Sequence, residues 1–253
     1  MEIKTVLITQ ARSGSTRFPG KILKEIGGKS LLQIHLNRLK ECQTISKIIV
    51  ATTSKPEDEI IYNMAIKWGF DASRGAELDV LDRFYKAVKN EKPHWVVRVT
   101  SDCPLIDSKL VDNIISFVQQ KNVDYGSNTL VEKFPDGQDV EVFKFSALET
   151  AWKNAKLQSE REHVTPYIRN NSDFNGGIIF RAINYPYEFD YSKIRMTVDE
   201  IRDFELIEKL IENLGVDETW LKYTNYIIDN DLGKINNSIT RNEGLKISLK
   251  NDK

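Results

Sequence analysis

Arg12, Arg17 and Lys21 fall within ten residues of one another in the stretch Gln10-Ala11-Arg12-Ser13-Gly14-Ser15-Thr16-Arg17-Phe18-Pro19-Gly20-Lys21. Two glycines and the hydroxyls of Ser13, Ser15 and Thr16 are interleaved with these cations. A nucleoside triphosphate needs this supply: several positive side chains, and backbone N–H groups that glycine lets approach closely. The stretch is neither a Walker A loop nor a dinucleotide fingerprint, since no Gly-Lys-Ser/Thr opens a helix and Gly-x-Gly-x-x-Gly is absent. From composition alone a solvated basic loop is the other reading.

Two aspartates far apart in the chain extend the chemistry. Asp102 follows Arg98-Val99-Thr100-Ser101, and Asp199 follows Met196-Thr197-Val198. Each alone could be a cap, Asp102 before Pro104 and Asp199 before a helix. Beside a triphosphate they would suit Mg²⁺, which takes one or two carboxylates and completes its shell with phosphate oxygens and water. Asp203, four residues on, is expected to be a helix-surface charge. Asp139 and Glu141 straddle Val140 and therefore share a strand face. They could take acceptor hydroxyls, or line an exposed sheet face. His163, in Arg161-Glu162-His163, is a tempting general base, but a lone histidine among charges is more often a hydrogen-bonded structural residue. Arg161 and His163 could contact a carboxylate or phosphate of a bound molecule.

The elements that must position these groups alternate. Lys4–Thr9 is predicted to be a buried strand, and a helix with Ser30 as N-cap follows. Ile48–Ala51 is a second strand, Pro56 to about Trp68 a helix, Val80–Val88 another, and Trp95–Val99 a strand leading to Asp102. Leu110–Val118 is helical. This order predicts a mostly parallel sheet with helices on both faces, whose ligand crevice lies beyond the strands' carboxyl ends. After Asp124 the rhythm changes. Val140–Phe143 is expected to be an antiparallel or edge strand, and helices are expected near Ala147–Ala155 and Glu162–Arg169. Arg195–Val198 is expected to return as a strand, and Phe204–Leu214 as a helix. One domain over 1–253 is expected, with an inserted segment at about 124–190 and a helical C-terminal part from about 200. The scattered tryptophans suit core packing, and Lys246, Lys250 and Lys253 a solvated tail.

Bulk properties exclude other classes. Lys+Arg 36 against Asp+Glu 37 leaves a formal charge of -1, without the basic excess that marks nucleic-acid binding. No apolar run approaches the ~18 residues of a membrane span, and the first residues lack the pattern of a signal peptide. Two cysteines, Cys42 and Cys103, make neither a disulfide framework nor a metal set, so a reducing cytoplasm is expected.

Taken with Asp79-Val80-Leu81-Asp82-Arg83-Phe84, Arg98–Ile106, Asp139–Phe143, Arg161–Ile168, Thr197-Val198-Asp199 with Asp203-Phe204-Glu205, and Arg241-Asn242-Glu243-Gly244, the loop resembles the CMP-Kdo and CMP-sialic acid synthetase superfamily, in its spore-coat polysaccharide SpsF-like branch. The resemblance implies a Rossmann-like α/β fold of the GT-A nucleotidyltransferase type with a small antiparallel dimerisation segment. It implies CTP as donor, Mg²⁺ as cofactor, an acidic sugar as acceptor, and a homodimer. Carried over, Arg17, Lys21 and Asp102 would be catalytic, and Asp102 and Asp199 would hold the metal. Gln10, Ala11, Arg12, Ser13, Gly14, Ser15, Arg17, Lys21, Arg74, Thr100 and Ser101 would bind the nucleotide, and Asp139, Glu141, Arg161 and His163 the acceptor. The loop starts Thr9-Gln10-Ala11-Arg12, where the better-understood synthetases commonly have Ile-Pro-Ala-Arg. A sugar- or polyol-phosphate acceptor is the alternative. A GT-A glycosyltransferase fits less well, because no Asp-x-Asp follows the third strand, and the cations and Asp102 speak against a catalytically dead scaffold.

Overall fold

The computed structural model describes residues 4–252. Nine strands are found among them. β1 (Thr5–Gln10), β4 (Lys47–Thr53), β5 (Asp71–Gly75), β6 (Trp95–Thr100), β7 (Tyr125–Ser127), β8 (Glu141–Lys144) and β9 (Ala182–Asn184) form one sheet in the order β5-β4-β1-β6-β8-β7-β9. β2 (Glu25–Ile26) and β3 (Lys29–Ser30) make a separate small hairpin. Pairing is parallel from β5 through β6; β8 is antiparallel to both β6 and β7, and β9 is parallel to β7. β8 is thus the single reversed strand in the sheet. The segment expected as an insertion extends the main sheet, and its antiparallel pairing lies inside that sheet, not at an edge.

The strands form where β-branched residues alternate between two cores. Val6 and Ile8 of β1 pack on one face with Phe84 and Leu148, while Leu7 packs on the other with Val97, Ile114 and Trp220. Helices cover both faces. α1 (Leu31–Lys40) starts where the Ser30 hydroxyl accepts the Gln33 N–H at 3.2 Å, as expected. α2 (Glu59–Lys67) and α3 (Val80–Val88) follow; Asp79 caps α3 by accepting the Asp82 N–H at 2.9 Å. α4 (Ser108–Lys121) begins on Asp107, which accepts from Lys109 and Leu110, and ends at Asn122 in the left-handed region.

Beyond β8 come α5 (Phe145–Asn154), α6 (Gln158–His163), α7 (Pro166–Asn170), α8 (Ile201–Leu214), α9 (Trp220–Asp229) and α10 (Glu243–Asn251). Two expectations are corrected here. The helix expected over Glu162–Arg169 is two short ones, because Val164 sits at φ 72° and Pro166 can only open a new turn. The strand expected at Arg195–Val198 is an extended run with one isolated bridge, Asp136 to Arg195. Its N–H groups go to separate loops: Met196 donates to the Asp136 carbonyl at 2.6 Å and Val198 to the Asp102 carbonyl at 2.8 Å. Among the described residues no strand pairs with it in a ladder. Lys246 and Lys250 are exposed, as expected of a solvated end, on a helix, α10, that packs against α6; Lys253 lies outside the described residues.

Candidate active site

The loop between β1 and β2 is built from the inside outward. Ser13 turns away from the crevice: its N–H and hydroxyl both donate to Asp58 Oδ1, at 2.7 and 2.6 Å. Asp58 also accepts from Thr53. Burial would raise the Asp58 carboxyl, but these hydrogen bonds outweigh it and hold it below the ordinary aspartate value. The Ser15 and Gly20 N–H groups then both return to the Ser13 carbonyl, at 2.9 and 3.0 Å. Gly20, at φ 67°, opens the turn Lys21–Leu23.

That turn buries Lys21 to 8 % exposure and aims its ammonium at both aspartates. Lys21 Nζ lies 3.1 Å from Asp102 Oδ2 and 2.8 Å from Asp199 Oδ1. Burial pulls Lys21 down, but the two carboxylates more than compensate and leave it above the usual lysine value. Arg17 Nη2 reaches the same Asp199 oxygen at 3.1 Å, and its Nη1 reaches Glu243 of α10 at 2.8 Å. Asp199 is drawn down to about 2: burial opposes ionisation, and Lys21, Arg17 and Arg195 together outweigh it.

Two residues that hold Asp199 were not expected. Arg195, 6 % exposed, donates to Asp136 at 2.6 Å, to Asp199 at 2.8 Å and to both oxygens of Asp203 at 2.9 and 3.0 Å. Asp203 is no surface charge; it has no exposure at all. Besides Arg195 it accepts the N–H groups of Asp199 and Glu200 and the amide of Asn236. An arginine with aspartates four and eight residues ahead was the available signal, hidden by the strand-like look of the run between. His35, fully buried, stands behind Asp102. Its Nδ1 is 2.9 Å from the Cys103 carbonyl, which can only accept, so Nδ1 carries the proton and Nε2 accepts from Thr9 Oγ1 at 2.9 Å.

A cleft of about 670 Å³ opens over these groups. Gln10, Ala11, Arg12, Ser15, Arg17, Lys21, Thr100, Ser101 and Asp102 line it; Ser13, Gly14 and Arg74 do not. Arg74, on the edge strand β5, donates instead to the Thr53 and Lys55 carbonyls at 3.1 and 2.9 Å. Arg12 faces Glu77 at 3.2 Å.

At the other end Asp139, Glu141 and His163 line the cleft, but Arg161 does not. Arg161 grips Asp79 through two bonds of 3.0 and 2.5 Å and ties α6 to the start of α3. Glu141 is buried and fully occupied, accepting from Arg98, from Tyr125 at 2.6 Å and from Thr165 at 2.5 Å. Its role there is to orient Arg98, whose Nε donates to Gln10 at 3.3 Å. Asp139 accepts from Arg241 at 2.7 Å, and His163 contacts Ser248 at 3.1 Å. Arg169, which was not singled out, lines the same end, and its guanidinium has no hydrogen-bond or ion-pair partner among the described residues. α10 forms a further wall through Asn242, Glu243, Gly244 and Ser248.

Among the described residues no three His, Cys, Asp or Glu side chains converge as a metal cluster. The site offers two carboxylates, a set that suits Mg²⁺ bound together with phosphate and fits no all-protein cage.

A family model described as cytidylyltransferase matches residues 6–227. The chain belongs to the cytidylyltransferase family. Within it the chain is SpsF-like: it is 35% identical over 218 residues to the spore coat polysaccharide biosynthesis protein SpsF of Bacillus subtilis, covering 83% of this chain and 87% of that one. An uncharacterised protein of Methanocaldococcus jannaschii is 40% identical over 220 residues, covering 85% and 87%. The structure of a cytidylyltransferase from Leptospira borgpetersenii superposes with a TM-score of 0.85 at 33% identity, over 94% of this chain and 99% of that one. This cytidylyltransferase is therefore a CTP-dependent nucleotidyltransferase with the Rossmann-like sheet expected of the family. Its α10 lies beyond the span that the family model matches.

Proposed function

We propose that this cytidylyltransferase transfers CMP from CTP to an acidic sugar of the nonulosonic-acid type, releasing pyrophosphate, for surface-glycan synthesis, and that it works with Mg²⁺. The observation that carries the reading is the convergence of Asp102 and Asp199 on Lys21 Nζ, at 3.1 and 2.8 Å. The ammonium stands between two carboxylates that would otherwise repel each other. Arg169, unpaired at the far end of the cleft, supports an acceptor with a carboxylate.

In this reaction an acceptor hydroxyl attacks the α-phosphorus of CTP. A new P–O bond forms as the bond to the β-phosphate oxygen breaks, and the hydroxyl proton passes to water. The protein contributes positioning and charge. Lys21 and Arg17 would offset the charge growing on the pyrophosphate, Arg12 would steady the outer phosphates, and Arg169 would hold the acceptor's carboxylate. Asp102 and Asp199 would hold Mg²⁺, which when bound neutralises phosphate charge and lowers the pKa of the attacking hydroxyl. Losing Lys21 is expected to cost about 2–4 kcal/mol of transition-state stabilisation, as for other preorganised charge contacts.

The test is pyrophosphate release from CTP and Mg²⁺ with a panel of acidic sugars, with Lys21→Ala and Asp102→Asn as controls. Release that needs a sugar- or polyol-phosphate instead would replace the acceptor. Near-normal turnover by both variants would remove the assigned roles. We propose that the homodimer forms at the β9 edge, a reading supported by the exposure of Phe174, Ile178, Ile179 and Phe189. Sedimentation of an Ile178→Asp, Ile179→Asp variant as a monomer would support it. The cytoplasmic setting rests on Cys42 and Cys103 being free buried thiols. Among the described residues no helix is long and apolar enough to cross a membrane.

A further inference from the structure

Arg83, on α3, ends in a guanidinium that the fold buries and leaves over. The residue is 3 % exposed, and neither Nε nor Nη1, both cut off from solvent, has a hydrogen-bond partner among the described residues. Buried polar groups are paired almost without exception, and a charged one most of all. The carboxylates nearby are already engaged. Asp58 serves Ser13 and Thr53, Glu77 serves Arg12 and Lys55, and Asp79 serves Arg161 and the start of α3. The position is nonetheless built for this side chain. A Cβ on Gly75, at the end of β5, would stand 2.6 Å from Arg83 Cγ, so glycine there makes room for the arginine stem. Burial and the neighbouring Arg12 draw Arg83 down to about 10, which leaves it charged at neutral pH and in want of an acceptor.

Arg83 lines the cleft beside Ala11, Glu77 and Val80. The anionic part of the nucleotide has its partners elsewhere, where Lys21 and Arg17 meet Asp102 and Asp199. A nucleotide whose phosphates lie there leaves its base to be received by another wall; the wall at Ala11 and Val80 sets apolar side chains beside Arg83, while Arg169, also without a partner among the described residues, lines the acceptor end with Asp139 and Glu141. Cytosine presents two adjacent acceptors, O2 and N3, on the edge that also carries its amino group. Uracil has a donor at N3 and would leave a guanidinium N–H facing another N–H. A guanidinium, with its parallel donors, matches the first edge and not the second.

We propose that Arg83 reads the base: on nucleotide binding its guanidinium turns from its sealed position toward the cleft, donates to O2 and N3 of cytosine, and so selects CTP over UTP. The proposal rests on the enzyme's use of CTP and is independent of the acceptor and of the metal. Its test is calorimetric binding of CTP, UTP and inorganic tripolyphosphate to the full chain, as wild type, R83M and R83K, with melting of each unliganded protein. Wild type is expected to prefer CTP. R83M should lose about tenfold in CTP affinity for each charged hydrogen bond removed, fall to the level of UTP, and bind tripolyphosphate as before. Unliganded R83M should melt at or above wild type, because an apolar chain of similar length replaces an unpaired buried charge. R83K keeps the charge without the paired donors and should lose most of the preference; if R83M does not fold, R83K decides. A CTP-to-UTP ratio that survives in R83K, or tripolyphosphate affinity lost in parallel with CTP, would overturn the proposal. Should wild type itself show no preference for CTP, the donor assignment and this proposal fail together, whereas a wild-type preference that survives in R83K overturns this proposal alone.

Discussion

Asp203→Asn probes how Asp199 is held. The carboxylate of Asp203 is fully buried and takes five donors: Arg195 Nε and Asn236 Nδ2 on Oδ1, and Arg195 Nη2 with the Asp199 and Glu200 N–H groups on Oδ2. An asparagine has one acceptor oxygen. Its better orientation keeps the three donors at Oδ2 and turns its NH₂ toward Arg195 Nε and Asn236. Two charge-assisted bonds are lost, donors are left facing donors, and Arg195 loses a buried counter-charge. Together these should cost about 3–5 kcal/mol, the usual range for breaking a buried ion pair. Asn236→Ala removes one bond to the same carboxylate, at 2.9 Å, and one to the Arg195 carbonyl, at 3.2 Å, leaves the counter-charge in place, and should cost about 1.5–3 kcal/mol. Urea unfolding at pH 7 measures both. Because the Asp199 N–H hangs on Asp203, Asp203→Asn should also lower kcat/KM for MgCTP. A loss below about 1 kcal/mol, or a full loss of stability with unchanged kcat/KM, would refute the idea that Asp203 and Arg195 position Asp199.

Two further outcomes follow from the geometry. Burial lowers His35 from about 6.5 to about 4, the hydrogen bond to Cys103 and the Asp102 charge only partly opposing it. The unfolded chain therefore takes up a proton near pH 6.5 that the folded chain refuses until about pH 4. This contribution to stability is intact above 6.5 and is lost as pH falls toward 4, so about 2 kcal/mol should disappear between pH 7 and pH 5. Urea titrations of His35→Gln should lack that part of the slope; an unchanged slope would exclude His35 as its source. Glu243 occupies one side of Arg17 in a pair whose side chains are 33% and 45% exposed. A triphosphate must compete with that carboxylate, and an exposed pair is worth little, so Glu243→Gln should bind CTP about two- to fivefold more tightly. Weaker binding would show that Glu243 assists the nucleotide.

What was legible in the sequence followed the strength of the hydrophobic period. β1, β4 and β6 are buried on both faces, and α1, α3 and α4 carry caps and an apolar stripe, so each announced itself. β5 did not: Asp71-Ala72-Ser73-Arg74-Gly75 is a polar edge strand, held by its ladder to β4 and not by side-chain burial. β7 and β9, three residues each, are too short to show a period. The loop, Asp102 and Asp199 were legible by residue type and come together on Lys21. Their supports were not, because a charge at a helix start looks the same in sequence whether it faces water, as expected for Asp203, or an arginine such as Arg195. Arg161 and Arg74 show the converse. Cations in promising segments were claimed by Asp79 and by the Thr53 and Lys55 carbonyls, partners that only the folded chain brings near.

The reversed strand β8 has an evolutionary consequence. In the parallel half, the residues that line the cleft lie at or just after the ends of their strands, whereas Asp139 precedes β8 and reaches the cleft because β8 runs the other way, with Glu141 in register with Arg98. The two ends of the cleft are thus encoded by stretches of chain on opposite sides of their supporting strands. Insertions and deletions in the loop 128–140 can reshape the far end while the pairing of β1 with β4 and β6 stays untouched. Such a lineage can change its acceptor by loop drift alone, without passing through ancestors that have lost their hold on the nucleotide.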